Sequence, residues 1–178
     1  QKLSSEKTKI AIRKELPVSE LIIGLECGGS DYTSGITANP VIGLVADHFV
    51  DDGASVVFGE TAEAIGAEHI LEKRSINESV SKFILAKIQA AENEAKLMKV
   101  DMRGSQPSPG NIAGGLSTIS EKSLGAICKS GNRPIVDAIE YGQLVRKKGV
   151  TFMDCPGQDL VSLGGLVAGG AHMVLFTT

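Results

Sequence analysis

The stretch of residues 21–40 constrains the fold more than any other part of the sequence. It opens with the apolar run 21–25 (LIIGL), which is typical of a strand buried on both faces of a sheet. Two carboxylates, a thiol and two glycines follow within residues 26–31, and Asn39 and Pro40 then have the residue types of a helix N-cap and a first helical position. α/β proteins place ligands in this geometry, at the carboxyl end of a parallel strand, although a purely structural turn is the alternative.

Strand and helix patterns alternate along the rest of the chain. Strands are predicted at residues 55–58, 134–137, 150–154 and 173–177, and helices at 40–52, 66–74, 77–99, 118–131 and 162–171. Residues 103–115 contain two prolines and four glycines, which exclude a helix or strand interior and predict a long loop. The expected fold is therefore α/β, of the three-layer, Rossmann-like type, with a mostly parallel sheet of about five strands and helices on both faces.

The two ends of the sequence set the expected domain boundaries. Residues 17–178 hold the whole alternating pattern, whereas residues 1–16 are interpreted as a linker or an edge segment. The chain starts without Met and stops at the end of an apparent strand, so we expect the central α/β domain of a longer enzyme, with N- and C-terminal domains outside it. This fragment alone is expected to fold, because its length can bury a sizeable core, but to be inactive.

Composition excludes several classes of function. The net charge is −3 and aromatic residues make up 4% of the chain, without Trp, so a nucleic-acid partner is not expected. No apolar run approaches the roughly 18 residues of a membrane span, and no signal-peptide pattern is present, so no membrane partner is expected. Three cysteines far apart in sequence do not form a disulfide framework, which favours the reducing cytoplasm as the compartment.

Carboxylates lie at or beyond the end of nearly every predicted strand. They are Glu26, Asp31, Glu60, Asp137, Asp154 and Asp159. Because the carboxyl ends of parallel strands meet at one edge of a sheet, these groups predict a site for a hard cation and a polyhydroxylated ligand.

Three further residue types suit chemistry near the strand ends. Glu68 and His69 follow a glycine and suit a metal ligand or a general base, with a structural role as the alternative. Cys27 suits a soft metal ligand or a nucleophile, with an inert buried thiol as the alternative. No dinucleotide fingerprint, Walker loop, zinc-finger spacing or Ser-His-Asp order is present. The residues themselves thus predict a cytoplasmic α/β domain with an acidic rim, as part of an enzyme.

Seven short blocks of sequence resemble the altronate and galactarate dehydratase family. They are LECGGSD (25–31), SGITANP (34–40), GAEHIL (66–71), PSPGNIAGG (107–115), EKSLGAICKSG (121–131), MDCPG (153–157) and VAGGA (167–171). The resemblance runs in the family's order from residue 17 to residue 178. It implies a hydro-lyase that removes water from a hexonate or hexarate to give a 2-keto-3-deoxy acid, with a divalent metal, Fe²⁺ or Mn²⁺.

Positions within these blocks and their neighbours become the candidate site residues. They are Glu68, His69 and Asp31 for catalysis, Gly28, Gly29, Ser30, Ser108, Asn111 and Lys122 for substrate binding, and Cys27, Glu26 and Asp154 for the metal. Such a dehydration needs a base for the proton next to the carboxylate, a cation that stabilises the enediolate, and an acid that helps hydroxide to leave.

Two alternatives of function stay open. The segment DMRGSQPSPGN (101–111) resembles the sulfolactate sulfo-lyase large subunit of the same family about as well, and that enzyme eliminates sulfite. A non-catalytic binding module with the same fold is the second alternative. The expected partners are a sugar acid or a sulfonated hydroxy acid and the missing domains of the same protein, with a homo-oligomer as an open possibility.

Overall fold

Five parallel strands form the centre of the fold in the computed structural model, which describes residues 13–178. They are β1 (Ile22–Cys27), β2 (Ser55–Phe58), β3 (Ile135–Ile139), β4 (Gly149–Met153) and β5 (Met173–Thr177). Their order in the sheet is β3–β4–β2–β1–β5, and every neighbouring pair runs parallel. The predicted parallel sheet is therefore confirmed, and all carboxyl ends of the strands lie at one edge.

Eight α-helices connect and cover these strands in the described part of the chain. They are α1 (Tyr32–Ile36), α2 (Ala38–Asp51), α3 (Glu68–Arg74), α4 (Glu78–Leu97), α5 (Met102–Ser105), α6 (Pro109–Ala113), α7 (Ile119–Ile127) and α8 (Asp159–Ala168). Short 3₁₀ helices occur at Val18–Glu20, Thr61–Ala64 and Cys128–Ser130. None of the helices within residues 13–178 is both long enough and apolar enough to cross a membrane.

The larger hydrophobic core lies on one face of the sheet, beneath α2, α3, α4 and α7. Val56, Phe58 and Phe152 point to this face and are almost completely buried. The rings of Phe58 and Phe152 meet edge to face, with centroids 5.5 Å apart, an arrangement that aromatic pairs prefer. Ile84 of α4 packs into the same core, so this helix is amphipathic, as its apolar spacing predicted.

A smaller core lies on the opposite face and has a thinner cover. Val57 and Met153 pack there against Leu166 of α8 and against Val145, which belongs to the connection between β3 and β4. That connection, residues 140–148, contains no helix although it joins two neighbouring parallel strands. Helices and sheet together form three layers, so the predicted architecture is confirmed.

Two local expectations were wrong. Asn39 does not cap α2, which begins at Ala38; its buried side chain instead donates to the Gly125 carbonyl at 3.0 Å and accepts from Thr177 Oγ1 at 2.6 Å. Residues 103–115 are not a helix-free loop, because they contain most of α5 and all of α6. The reason is local capping. Ser108 and the third residue of α6 form a capping box, and Pro109 is compatible with a first turn.

The predicted linker or edge segment lies mostly outside the described residues. Residues 13–17, which are described, form neither helix nor strand. For residues 1–12 the expectation stays a prediction.

Arg103 attaches the 101–115 segment to the body of the domain. Its guanidinium donates to both carboxylate oxygens of Glu92 in α4, at 3.0 and 3.1 Å, and to Glu68 Oε1 at 2.7 Å. Lys96 also pairs with Glu92, at 3.0 Å. Hydrogen bonds from Arg103 and then from Lys96 lower the pKa of Glu92 to about 2.

Replacing Glu92 with Gln is expected to make the free energy of unfolding depend less on pH between pH 5 and pH 2. Because the pKa of Glu92 in the folded state lies below its unfolded value of about 4.3, its stabilising contribution is present above that value and is lost as the pH falls towards 2. Urea unfolding of the unchanged chain between pH 5 and 2 should therefore show a steeper loss of free energy than unfolding of Glu92→Gln. Glu94→Gln, an exposed change on the same helix, is the control. Equal slopes for the Glu92 variant and the unchanged chain would contradict this.

Candidate active site

A buried group of acidic, thiol and amine side chains lies at the carboxyl ends of β1 and β2. We call it the Lys129 cluster; it consists of Cys27, Glu60, Glu63 and Lys129. Lys129 Nζ lies 2.6 Å from Glu60 Oε2 and 3.1 Å from Cys27 Sγ. Cys27 Sγ in turn lies 3.4 Å from Glu63 Oε2 and 3.5 Å from Glu60 Oε1. The four side chains therefore form one hydrogen-bonded unit.

An unusual backbone turn after β2 presents Glu60 to this cluster. Glu60 has φ 67° and ψ 56°, a left-handed conformation that an L residue adopts at a cost of about 1–2 kcal/mol. The neighbouring Thr61 fixes the turn, since its N–H donates to the Cys155 carbonyl at 2.8 Å and its hydroxyl donates to Asp154 Oδ1 at 2.7 Å. Gly59 lies so close to Cys155 that an added Cβ would come within 2.6 Å of it. The end of β4 thus shapes the turn that carries Glu60.

Lys129 enters the cluster from the 3₁₀ helix that follows α7. The next residues are fixed by Asp47 of α2, whose carboxylate accepts from the N–H groups of Asn132 at 2.8 Å and Arg133 at 3.1 Å. Gly43, one turn earlier in α2, lies against the Cys128 carbonyl, which an added Cβ would approach to 2.2 Å. These close contacts hold the backbone of Lys129 against the sheet, so its ammonium group stays buried.

The environment of the cluster sets its protonation. Burial alone would lower the pKa of Lys129, but Glu60, Cys27 and Glu63 together raise it above its ordinary value, so the amine is an ammonium. Burial raises the pKa of the Cys27 thiol, which therefore stays protonated and donates to the carboxylates. Burial also raises the pKa of Glu60, and the ammonium beside it opposes that shift.

Glu63 is the ionised carboxylate on the open side of the cluster. Burial would raise its pKa, but Lys129 and Lys122 hold the pKa below its ordinary value. Lys122 Nζ lies 3.0 Å from Glu63 Oε1, and both side chains are partly exposed. They line a pocket of about 160 Å³ together with Gln106 and Gly157, among other residues. A small ligand could therefore reach the cluster through Glu63 and Lys122.

Glu26 precedes Cys27 in β1 and points to the opposite face of the sheet. Its Oε2 accepts from Ser162 Oγ of α8 at 2.5 Å, and its Oε1 is buried without a hydrogen-bond partner. Burial, followed by the nearby charge of Glu60, raises the pKa of Glu26 to about 8. At neutral pH this side chain is therefore largely a neutral carboxylic acid.

Of the three residues predicted as metal ligands, one lies in the cluster. Cys27 joins Glu60 and Glu63 in the only set within residues 13–178 whose potential ligand atoms all lie within 4.8 Å of one another. Glu26 points to the other face of the sheet. Asp154 accepts a hydrogen bond from the Thr61 hydroxyl and forms an ion pair with Lys87 at 3.1 Å. The structure does not bring the predicted set together, and the metal-binding role of each stays a prediction.

The three residues predicted for catalysis make other contacts. Glu68 accepts from the Gly66 N–H at 2.9 Å and pairs with Arg103, and His69 is exposed on α3. Asp31 is the N-cap of α1 and accepts from the Ser34 N–H at 2.7 Å. None of these contacts involves the Lys129 cluster, and the catalytic roles remain untested.

The residues predicted to bind substrate lie mostly where two loops meet. Asn111 Nδ2 donates to the Ser30 carbonyl at 2.8 Å, which joins the 28–31 loop to α6, where Ser108 is the N-cap. Gly28 N–H donates to the Thr177 carbonyl at 2.7 Å, whereas the space around Gly29 is open. Ser30 and Lys122 both line a cleft of about 480 Å³ between α1 and α7. Lys122 also pairs with Glu63, so this cleft adjoins the cluster.

Comparison with protein families decides the affiliation of the chain. The family model described as "D-galactarate/Altronate dehydratase, C-terminal" matches residues 18–178. The chain belongs to this family.

Relatives in the galactarate/altronate dehydratase family match at substantial identity. Altronate dehydratase of Bacillus subtilis (strain 168) is 46% identical over 169 residues, covering 93% of this chain and 33% of the relative. Galactarate dehydratase (L-threo-forming) of Escherichia coli (strain K12) is 42% identical over 166 residues, covering 93% and 32%. (2R)-sulfolactate sulfo-lyase subunit beta of Chromohalobacter salexigens is 40% identical over 144 residues, covering 80% and 37%. The chain spans about a third of the length of these curated relatives.

Two members of the cluster escaped the sequence reasoning on this dehydratase-family chain. Glu63 lies three residues after Glu60, but Glu60 is the left-handed residue before the 3₁₀ helix, so no local sequence pattern indicates that the two side chains meet. Lys129 stands in the apolar and small-residue block 125–131 (GAICKSG), where a lone lysine at the end of a buried helix is unusual. Glu60 was recognised only as one of several strand-end carboxylates.

Proposed function

We propose that this chain is part of a lyase that dehydrates a sugar acid, of the altronate or galactarate type, to a 2-keto-3-deoxy acid. The proposal is supported by the family to which the chain belongs and by the names of its relatives. The observation that carries it is the Lys129 cluster, which connects a buried group of charged side chains to a pocket through Glu63 and Lys122.

The residues on the pocket side suit two of the three demands of such a dehydration. Glu63 is ionised and partly exposed, so it can accept the proton from the carbon next to the substrate carboxylate. Lys122 can bind that carboxylate through its ammonium group, which stabilises the negative charge that develops on the enediolate. As the carbon–hydrogen bond breaks, its electrons form the double bond, and the hydroxyl on the next carbon leaves as hydroxide, which takes a proton from solvent to become water. The resulting enol then becomes the 2-keto acid.

The cluster also suits a divalent cation by the chemistry of its donors. Cys27, Glu60 and Glu63 offer one sulfur and two carboxylate groups, a mixed set that can hold a divalent transition metal, and the family resemblance implies Fe²⁺ or Mn²⁺. Glu63 Oε2 faces Cys27 at 3.4 Å and would hold the cation, whereas Glu63 Oε1 faces Lys122 at 3.0 Å and would take the proton. When bound, such a cation supplies Lewis acidity that stabilises charge on a substrate oxygen. We therefore include metal dependence in the proposal.

A related reaction is the second candidate. The sulfo-lyase relative covers 80% of this chain at 40% identity, and its name assigns a sulfonated hydroxy acid to that protein. The same base and the same ammonium group would serve an elimination in which sulfite leaves instead of hydroxide. The full protein, three times longer in the relatives, would complete the site in either case.

Turnover by the full-length protein is the direct test. We expect the protein that contains this chain, purified and assayed without oxygen in the presence of Fe²⁺ or Mn²⁺, to act on altronate, galactarate or (2R)-sulfolactate. Product analysis distinguishes loss of water from loss of sulfite. The present chain alone, folded by circular dichroism, serves as the comparison and is expected to be inactive. No turnover of any of the three acids by the folded, metal-supplemented protein would contradict the proposal and favour a non-catalytic binding module.

A further inference from the structure

We propose that Lys129 is an exchangeable internal cation, whose ammonium group occupies the position that a divalent ion takes when it binds Cys27, Glu60 and Glu63. The ion then binds only when the ammonium moves out of the cluster. This inference rests on the metal dependence in the proposed function and adds a specific role for Lys129.

Distances within the cluster make the two cations mutually exclusive. Lys129 Nζ lies 2.6 Å from Glu60 Oε2 and 3.1 Å from Cys27 Sγ, and these two atoms are themselves 3.8 Å apart. A metal ion bonded to both atoms, at lengths of about 2.0–2.5 Å, would lie within about 4 Å of Nζ, where two cations repel each other strongly. Only 2% of the surface of the Lys129 side chain is exposed, so water cannot screen this repulsion.

Charge gives an independent reason for exchange. Two carboxylates, Glu60 and Glu63, face two ammonium groups, Lys129 and Lys122. The group is therefore balanced, and a divalent ion added to it would leave uncompensated positive charge in a buried site. If the ion replaces Lys129, one positive charge leaves the group as two enter it, so the excess of positive charge is smaller than if both cations were present.

The affinity for Mn²⁺ tests this exchange without any substrate. Free Mn²⁺ is followed by electron paramagnetic resonance in titrations of the full-length protein and of Lys129→Met, which keeps the length of the side chain but removes the charge. We expect the variant to bind Mn²⁺ at least tenfold more tightly. The double variant Lys129→Met/Glu60→Gln should lose that gain, because it lacks one of the ligands. Lys122→Met, which removes an ammonium from the open side of the cluster, should change the affinity less than Lys129→Met does.

Equal or weaker binding by Lys129→Met would overturn the proposal. Should that variant fail to fold, crystals of the unchanged protein soaked in Mn²⁺ decide by the anomalous signal of the ion. An ion bonded to Cys27 and Glu60 with Lys129 Nζ displaced from both supports exchange. An ion bonded there while Nζ keeps its contacts, or no ion there at saturating Mn²⁺, refutes it. Exchange without turnover would reject only the dehydratase assignment, and turnover without an ion in the cluster would reject only this inference.

Discussion

Replacing Lys129 with alanine is expected to lower the free energy of unfolding by about 3–5 kcal/mol, the usual cost of removing one partner from a buried ion pair. Both Lys129 and Glu60 have only 2% of their side-chain surface exposed, so water cannot replace the lost ammonium. Glu60 would remain as a buried carboxylate without its counter-charge. Urea unfolding of the chain, followed by circular dichroism at pH 7, measures the change.

A double variant separates the loss of charge balance from the loss of packing. Lys129→Met/Glu60→Gln removes both charges and keeps side chains of similar size, so it should recover most of the stability that Lys129→Ala loses. The four members of a double-mutant cycle on Lys129 and Glu60 give the coupling between them. If Lys129→Met alone were as stable as the unchanged chain, the ammonium would not be needed to hold the buried carboxylate, and this prediction would be wrong.

Replacing Glu63 with Gln is expected to lower kcat of the full-length protein by about 10²–10⁴-fold, the range that a positioned general base contributes. Glutamine keeps the shape of the side chain, but it cannot accept the proton. The turnover number should fall while the KM for the sugar acid changes little, because Lys122 still binds the carboxylate. Initial rates with the substrate identified by the turnover assay measure both constants.

Hydrogen exchange at the substrate distinguishes a base from a structural residue. If Glu63 takes the proton, the unchanged protein should exchange the hydrogen next to the substrate carboxylate with deuterated solvent, and Glu63→Gln should lose that exchange together with turnover. Glu78→Gln, an exposed change at the start of α4, is the control that should leave both unchanged. A Glu63→Gln protein that keeps full turnover would exclude this side chain as the base.

The architecture could be predicted because local signals and tertiary packing agree over most of the chain. The apolar run 173–177 coincides with β5, and the predicted helix 77–99 coincides with α4, whose N-cap is Asn77. The prediction that Asn39 caps a helix was wrong because an asparagine side chain can also form hydrogen bonds in the interior of a protein. Its partners, Gly125 and Thr177, are more than 80 residues away in sequence, and no local pattern reveals them.

The site was harder to predict, because its members come from three separate segments. The rule that carboxylates collect at the carboxyl ends of parallel strands correctly indicated the edge of the sheet, and Cys27 and Glu60 lie there. It could not tell that Glu26 would point to the other face or that Lys129 would be drawn in from a 3₁₀ helix. The direction of Glu26 depends on which face of the sheet each residue of β1 points to. The position of Lys129 depends on its pairing with carboxylates that are distant in sequence.

Adjacent residues of β1 face different layers, and this alternation also disfavours a shifted register of β1 in the sheet. A slip of β1 by one residue against its neighbours would exchange the two sides of the strand. Glu26 would then meet Glu60 and Glu63, so three carboxyl groups would share the ammonium groups of Lys129 and Lys122, and Cys27 would meet Ser162. An all-valine pair such as Val56 and Val57 could not reject that misalignment, since both sides are equally apolar. The polar end of β1 therefore favours the observed register of the strand over one shifted by a residue.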